Sequence, residues 1–292
     1  MSKGLLDPKV DFVFKNIFGS PNHPEILISF LNATLKAKKK IVNVDIKKTD
    51  IEKQYIEDKY SRLDVKATTS NDEIINIEIQ LKNENNMVKR SLYYLSKMYE
   101  EQLNEKEDYS KLVRTVCINI LNFKYLKTDN FHTGYRFKEI ESNEELTDIM
   151  EVHFIEIPKL QDSSDEKDML VAWTEFLKDP ESEKVRGLEL SIEEIRQAKD
   201  ELIRMSNDST QRELYDMRSN SLRDKMSELN AAERKGIEKG REEGREECRK
   251  EGIEEGRKEE KIEIARNMKL SGLDTNTIAK ITNLSEDEID KL

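Results

Sequence analysis

The residues best placed to do chemistry are three polar side chains set into two apolar, alternating runs. From Ser61 to Thr68, Leu63, Val65 and Ala67 fall on one face and Arg62, Asp64, Lys66 and Thr68 on the other. From Ile74 to Lys82, Ile75, Ile77, Ile79 and Leu81 oppose Asn76, Glu78, Gln80 and Lys82. A period of two over this length is the signature of a half-buried strand. Ser70-Asn71-Asp72 supplies turn chemistry between them, so the two runs read as a hairpin. Asp64, Glu78 and Gln80 then share its polar side. An acid on a strand that a helix covers needs a partner, and a divalent cation is one. Two carboxylates suit Mg²⁺ or Mn²⁺, which keep waters for a nucleophile and offset charge on a phosphodiester in its transition state. An exposed sheet face, with Asp64, Lys66, Glu78 and Lys82 in cross-strand ion pairs, explains the same pattern, and spacing alone favours that simpler reading.

The surrounding sequence must hold this hairpin in place. Asp7-Pro8 reads as a helix start, with Val10, Val13, Phe14 and Ile17 on one face and Gly19 as the stop. A second helix follows Pro24, and Lys36 to Lys40 form a basic connector. Ile41 to Ile46 reads as a further strand. Met87, Ser91, Tyr94, Leu95 and Met98 mark an amphipathic helix after the hairpin, and Val113–Phe123 and Val152–Leu160 read as later strands. Helices covering a small sheet define an α/β domain. Residues 166–178 read as a helix around Trp173, expected as a core anchor, and Ser191 with Glu194 as a capping box.

Several motifs together resemble a known family. They are Asp7-Pro8-Lys9-Val10-Asp11-Phe12-Val13-Phe14-Lys15-Asn16-Ile17-Phe18-Gly19, then Ser61-Arg62-Leu63-Asp64-Val65-Lys66-Ala67, then Ile75-Asn76-Ile77-Glu78-Ile79-Gln80. In this order they are similar to the Rpn family of recombination-promoting nucleases, or putative transposases, within the PD-(D/E)XK nuclease superfamily. Lys89 to Tyr94 resembles that family's next helix. The resemblance implies a PD-(D/E)XK, restriction-endonuclease-like α/β domain (helices around a small mixed sheet) and a Mg²⁺- or Mn²⁺-dependent DNA endonuclease. It puts the metal-binding acids on Asp64 and Glu78 and the superfamily's lysine position on Gln80. Gln positions a water or a phosphate but carries no charge. Lys66 and Arg90 are therefore the candidate cations, with Asp11 or Lys15 as further candidates unless they form a surface i,i+4 pair. A recombination, mobile-element or phage-defence role is implied with it.

Composition sets bounds on the rest. Charged residues are 38 % and apolar ones 36 % of 292, and the net charge is −11; a chain this polar is expected to carry long solvated helix. Residues 1–100 hold 17 Lys and Arg against 14 Asp and Glu, and the remainder 33 against 47, so a phosphate-handling surface is expected in the first third. No window is apolar enough for a membrane span and no secretory signal is evident, which reads as cytoplasmic. Cys117 and Cys248 form no metal-ligand spacing. His23, His132 and His153 are too scattered in sequence for a histidine cluster, and neither a phosphate-binding loop nor a serine elbow occurs.

The sequence divides into residues 1–180 as the nuclease-like domain and 181–230 as a helical connector. Residues 231–261 form a Gly/Glu/Arg-rich arm with glycines at a four-residue beat, and 262–292 a small helical tail. The arm and tail are expected to make a homo-oligomer. A helix-turn-helix reading of the tail is set aside because Glu286 to Leu292 carries four acids and one base. Two rival functions stay open: a catalytically inactive nuclease fold that binds DNA or blocks a partner, and an oligomeric interaction protein working through the arm.

Overall fold

The computed structural model describes residues 4–36, 39–47, 65–165 and 167–292. Asp64, with the Ser61–Leu63 portion of its expected strand, lies outside the described residues. The described chain forms two compact units, residues 1–222 and 223–292.

The first unit is built on a six-stranded mixed sheet. Its strands are β1 (Val44–Lys47), β2 (Val65–Thr69), β3 (Ile74–Gln80), β4 (Thr115–Leu121), β5 (His132–Lys138) and β6 (Glu145–Glu156), in the spatial order β1-β2-β3-β4-β6-β5. β1, β2 and β3 run antiparallel. β3, β4 and β6 are parallel, and β5 returns antiparallel on β6. Parallel pairs need crossovers, and α3 (Met87–Glu100) supplies the one between β3 and β4. The expected hairpin is β2–β3, closed at Asp72, which adopts a left-handed backbone at φ 61°.

Helices cover both faces. On one, Ile75, Ile77 and Ile79 of β3 and Val116, Ile118 and Ile120 of β4 join the large core. That core also takes in α1 (Asp11–Phe18), α2 (Pro24–Leu35), α4 (Met169–Lys178), α5 (Glu183–Glu189) and α6 (Glu193–Asn207). Trp173 is fully buried there, edge-on to Phe18 and Phe176, with its indole N–H donating to Ser29 Oγ at 3.2 Å. Helices α5 and α6 fall in the stretch read as a connector, yet Val185, Ile195, Ala198 and Leu202 pack into this core. On the other face Met87 and Leu95 of α3 pack on Cys117, Leu121, Val152 and Phe154. Among the described residues no helix is long and apolar enough to cross a membrane.

Two local expectations fail for identifiable reasons, and one strand has no signal in the sequence. Asp7 does not cap α1: its carboxylate and carbonyl accept from the backbone N–H groups of Lys9 and Val10, forming a turn, and the helix begins at Asp11. Ser191 does not cap α6, because its hydroxyl donates to the Leu188 carbonyl at 3.2 Å and the helix opens at Glu193. β5 went unrecognised because His-Thr-Gly-Tyr-Arg-Phe-Lys lacks an apolar alternation, most of its side chains being exposed on an edge strand.

α7 (Ser209–Leu270) is one helix of 62 residues containing the glycine-rich arm. In the second unit Ala265 packs with Ile278 of α8 (Thr275–Thr282), Leu284, and Ile289 of α9 (Glu286–Asp290). Asp274 caps α8, and Ser285 with Glu288 forms a capping box on α9.

Candidate active site

Strand alternation decides where the polar residues go. With Ile75, Ile77 and Ile79 committed to the large core, Asn76, Glu78 and Gln80 face the α3 side. Glu78 is only 1 % exposed, so the exposed ion-pair face does not form around it. Its carboxylate accepts from Arg90 Nε at 3.2 Å and from Asn76 Nδ2 at 3.5 Å. Burial pushes the Glu78 carboxyl above its ordinary pKa, and the Arg90 cation and the two hydrogen bonds offset only part of that. Arg90 stands in the first turn of α3, its guanidinium 5.3 Å from the ring centre of Tyr94. The helix that crosses the sheet thus delivers a cation to the strand's acid.

The other candidates separate. Lys66 lies opposite Asn76 in the β2–β3 register and pairs with Glu101, just past the end of α3, at 3.9 Å. Gln80 ends β3, half-buried, opposite Leu121. Asp11 pairs with Arg218 of α7 at 2.8 Å, and α1, which carries Asp11 and Lys15, packs on the opposite face of the sheet from Glu78. Asp64 immediately precedes Val65, whose register partner is Ile77, the neighbour of Glu78.

Behind Glu78 lies a polar layer that sequence reading missed. Asn119 is opposite Glu78 on β4 and fully buried. Its Oδ1 accepts from Ser91 Oγ at 2.8 Å, and its Nδ2 donates to the His153 carbonyl at 3.0 Å. Asn76 Oδ1 is buried without a hydrogen-bond partner. Cys117 sits beneath, and burial pushes its thiol up to about 12. Among the described residues no group of three or more His, Cys, Asp or Glu side chains could hold a metal ion. Two described oxygen donors, the Glu78 carboxylate and the unsatisfied Asn76 amide oxygen, are of the hard type that Mg²⁺ and Mn²⁺ take, so their donor chemistry suits such an ion.

The fold also gathers the histidines that look scattered in sequence. His132 of β5 stacks on His153 of β6, with 2.9 Å between Nε2 and Nδ1, and His153 Nε2 is 2.7 Å from Glu151. Against burial, which raises it, the Glu151 carboxyl is held down at about 2 by the His153 hydrogen bond and then by Arg114, and Arg136 also binds it. His132 is depressed to about 4, first by burial and then by His153. Only the β5–β6 register, which local pattern does not encode, could have paired them.

Residues 8–232, more than three quarters of the chain, match the family described as PD-(D/E)XK nuclease family transposase. The chain belongs to that family. Residues 258–292 match a second one, the Rpn/YhgA-like nuclease family C-terminal HTH domain. No curated protein and no solved structure matches the chain. The first match agrees with the mixed sheet and its helical cover as a PD-(D/E)XK nuclease domain followed by a helical C-terminal region. The second overturns the charge-based reading that disfavours a helix-turn-helix in the tail. Surface acids oppose phosphate, but the fold follows from the buried spacing of Ala265, Ile278, Leu284 and Ile289, which charge does not alter.

Proposed function

We propose that this PD-(D/E)XK family member is a DNA endonuclease that hydrolyses phosphodiester bonds with Mg²⁺ or Mn²⁺. The observation that carries this reading is a carboxylate, Glu78, held buried on β3 with Arg90 against it, and the resemblance assigns that position to the superfamily's second acid. Asp64 is its proposed partner, one residue before the strand that pairs with β3. A divalent ion on these acids would supply water activation and charge stabilisation. Arg90 offsets part of the burial that favours the neutral Glu78 acid, and supplies the positive charge that Gln80 lacks. Gln80, at the half-buried strand end, orients the attacking water or a phosphate oxygen, and Lys66 adds charge from the neighbouring strand. The helix-turn-helix tail binds DNA, and the C-terminal region assembles copies of the chain. The resemblance supports a recombination, mobile-element or phage-defence setting.

Plasmid nicking by the full chain with Mn²⁺ tests this. Wild type should convert supercoiled plasmid to nicked or linear forms, and Asp64→Ala and Glu78→Ala should each abolish it. One observation favours a second reading. Arg90 occupies the Glu78 carboxylate while Gln80 offers no charge, as an inactive, DNA-binding or partner-blocking member would have it. Absence of nicking by wild type, or equal nicking by Asp64→Ala, selects that reading.

A further inference from the structure

The outward side of α3 is unusual for a solvent-facing helix. Its inner side, Met87, Ser91, Tyr94, Leu95 and Met98, is buried. Outward, at helical spacing, stand Lys89, Leu92, Tyr93, Ser96 and Lys97, with Leu92 49 % and Tyr93 53 % exposed. From Met87 to Tyr99 the helix has three cations, Lys89, Arg90 and Lys97, and no acid. Lys97 is engaged by Glu100 and Glu101 at the far end, and Arg90, 21 % exposed, is bonded to Glu78, so the outward positive charge at the start of the helix is that of Lys89. Tyr93 packs edge-on against Tyr94 at 5.6 Å, and Tyr94 carries the Arg90 guanidinium that contacts Glu78. A continuous line of contacts therefore runs from the candidate acid to an exposed aromatic ring.

An aromatic and an aliphatic side chain left in water beside a lysine match the chemistry of an unpaired nucleic-acid strand. Nucleic-acid strands present flat apolar base faces joined by phosphates, and an aromatic side chain with flanking cations recognises both. A duplex hides those faces inside its stack, whereas an unpaired strand offers them. We infer that α3 is the docking surface for an unpaired DNA strand, with a base stacked on Tyr93 against Leu92 and a phosphate held by Lys89. The inference deepens the endonuclease reading by naming its substrate class as single-stranded or locally opened DNA. It draws on that reading only for the identity of the nucleic acid. The surface is distinct from the helix-turn-helix tail, which accounts for duplex binding.

Fluorescence anisotropy of the full chain in EDTA tests this without any cleavage. The probes are a labelled oligothymidylate and a labelled duplex of equal length. Tyr93→Ala should weaken oligothymidylate binding by about 5- to 100-fold and leave duplex binding within about twofold. Tyr93→Phe, which keeps the ring, should bind as wild type. Unchanged single-strand binding by Tyr93→Ala overturns the inference, as does an equal loss on both probes. Failure here is separable from failure of the endonuclease reading. A chain that nicks plasmid but shows no Tyr93 effect refutes this surface alone. A selective Tyr93 effect without nicking refutes catalysis alone.

Discussion

Replacing Arg90 with leucine strips the buried carboxylate of its cation and puts a magnitude on the pair. The Glu78 side chain is 1 % exposed and that of Arg90 21 %, so both charges are largely out of water. Removing one member of such a pair costs about 3–5 kcal/mol, because the other charge is left uncompensated; partial solvation of the guanidinium puts the expected loss near about 3 kcal/mol. The loss carries a pH signature. Burial already raises the Glu78 pKa above its unfolded value, and without Arg90 it rises further. A carboxyl raised in this way stabilises the fold fully below its unfolded pKa, and the contribution is lost as pH rises through the folded one. Arg90→Leu should therefore be far less damaging near pH 4.5, the unperturbed value, than near neutrality. Urea unfolding followed by the fluorescence of Trp173, the chain's one tryptophan and part of the large core, reads the first unit. At neutral pH the midpoint should fall by about 1–3 M, given slopes of about 1–3 kcal/mol/M. Adding Glu78→Gln should recover most of the loss. A penalty equal at both pH values, or undiminished in the double variant, would refute the reasoning.

Three further outcomes follow from named contacts. Ellman's reagent should titrate one thiol, the exposed Cys248, in the native chain and two after denaturation, since Cys117 is buried with its thiol pushed up to about 12. His132, depressed from 6.5 to about 4, favours the fold above its unfolded pKa and loses that contribution as pH falls through the folded one. Wild type should thus lose about 3 kcal/mol between those values, and His132→Gln should flatten the profile there. Gly134→Ala should destabilise by about 1–3 kcal/mol in the same urea assay. A Cβ at that position would stand 3.0 Å from His153, whose ring is fixed by His132 and Glu151.

Much of the site's scaffold is legible along the chain, because the isoleucines of β3 repeat at the strand period and leave Asn76, Glu78 and Gln80 on the other face. Arg90 was one of two cations named from sequence, and the crossover helix explains why it, on the first turn of α3, meets Glu78. Lys66 shares that face but pairs with Glu101. The polar layer behind the acid was not legible. Asn119 and Ser91 become neighbours of Glu78 only through the parallel β3–β4 register and the packing of α3, which are long-range facts. The His132–His153 pair is hidden for the same reason, and β5 lacks the apolar alternation that would have revealed its strand. In the tail, net charge points away from DNA, but the fold is set by the buried apolar spacing of Ala265, Ile278, Leu284 and Ile289.

The most direct test is an anomalous difference map from crystals of the full chain soaked in Mn²⁺. A peak at about 2.0–2.2 Å from oxygens of both Glu78 and Asp64, with Arg90 released from the Glu78 carboxylate, is the expected result. No peak there, with Arg90 still bonded to Glu78, would contradict the metal-dependent endonuclease.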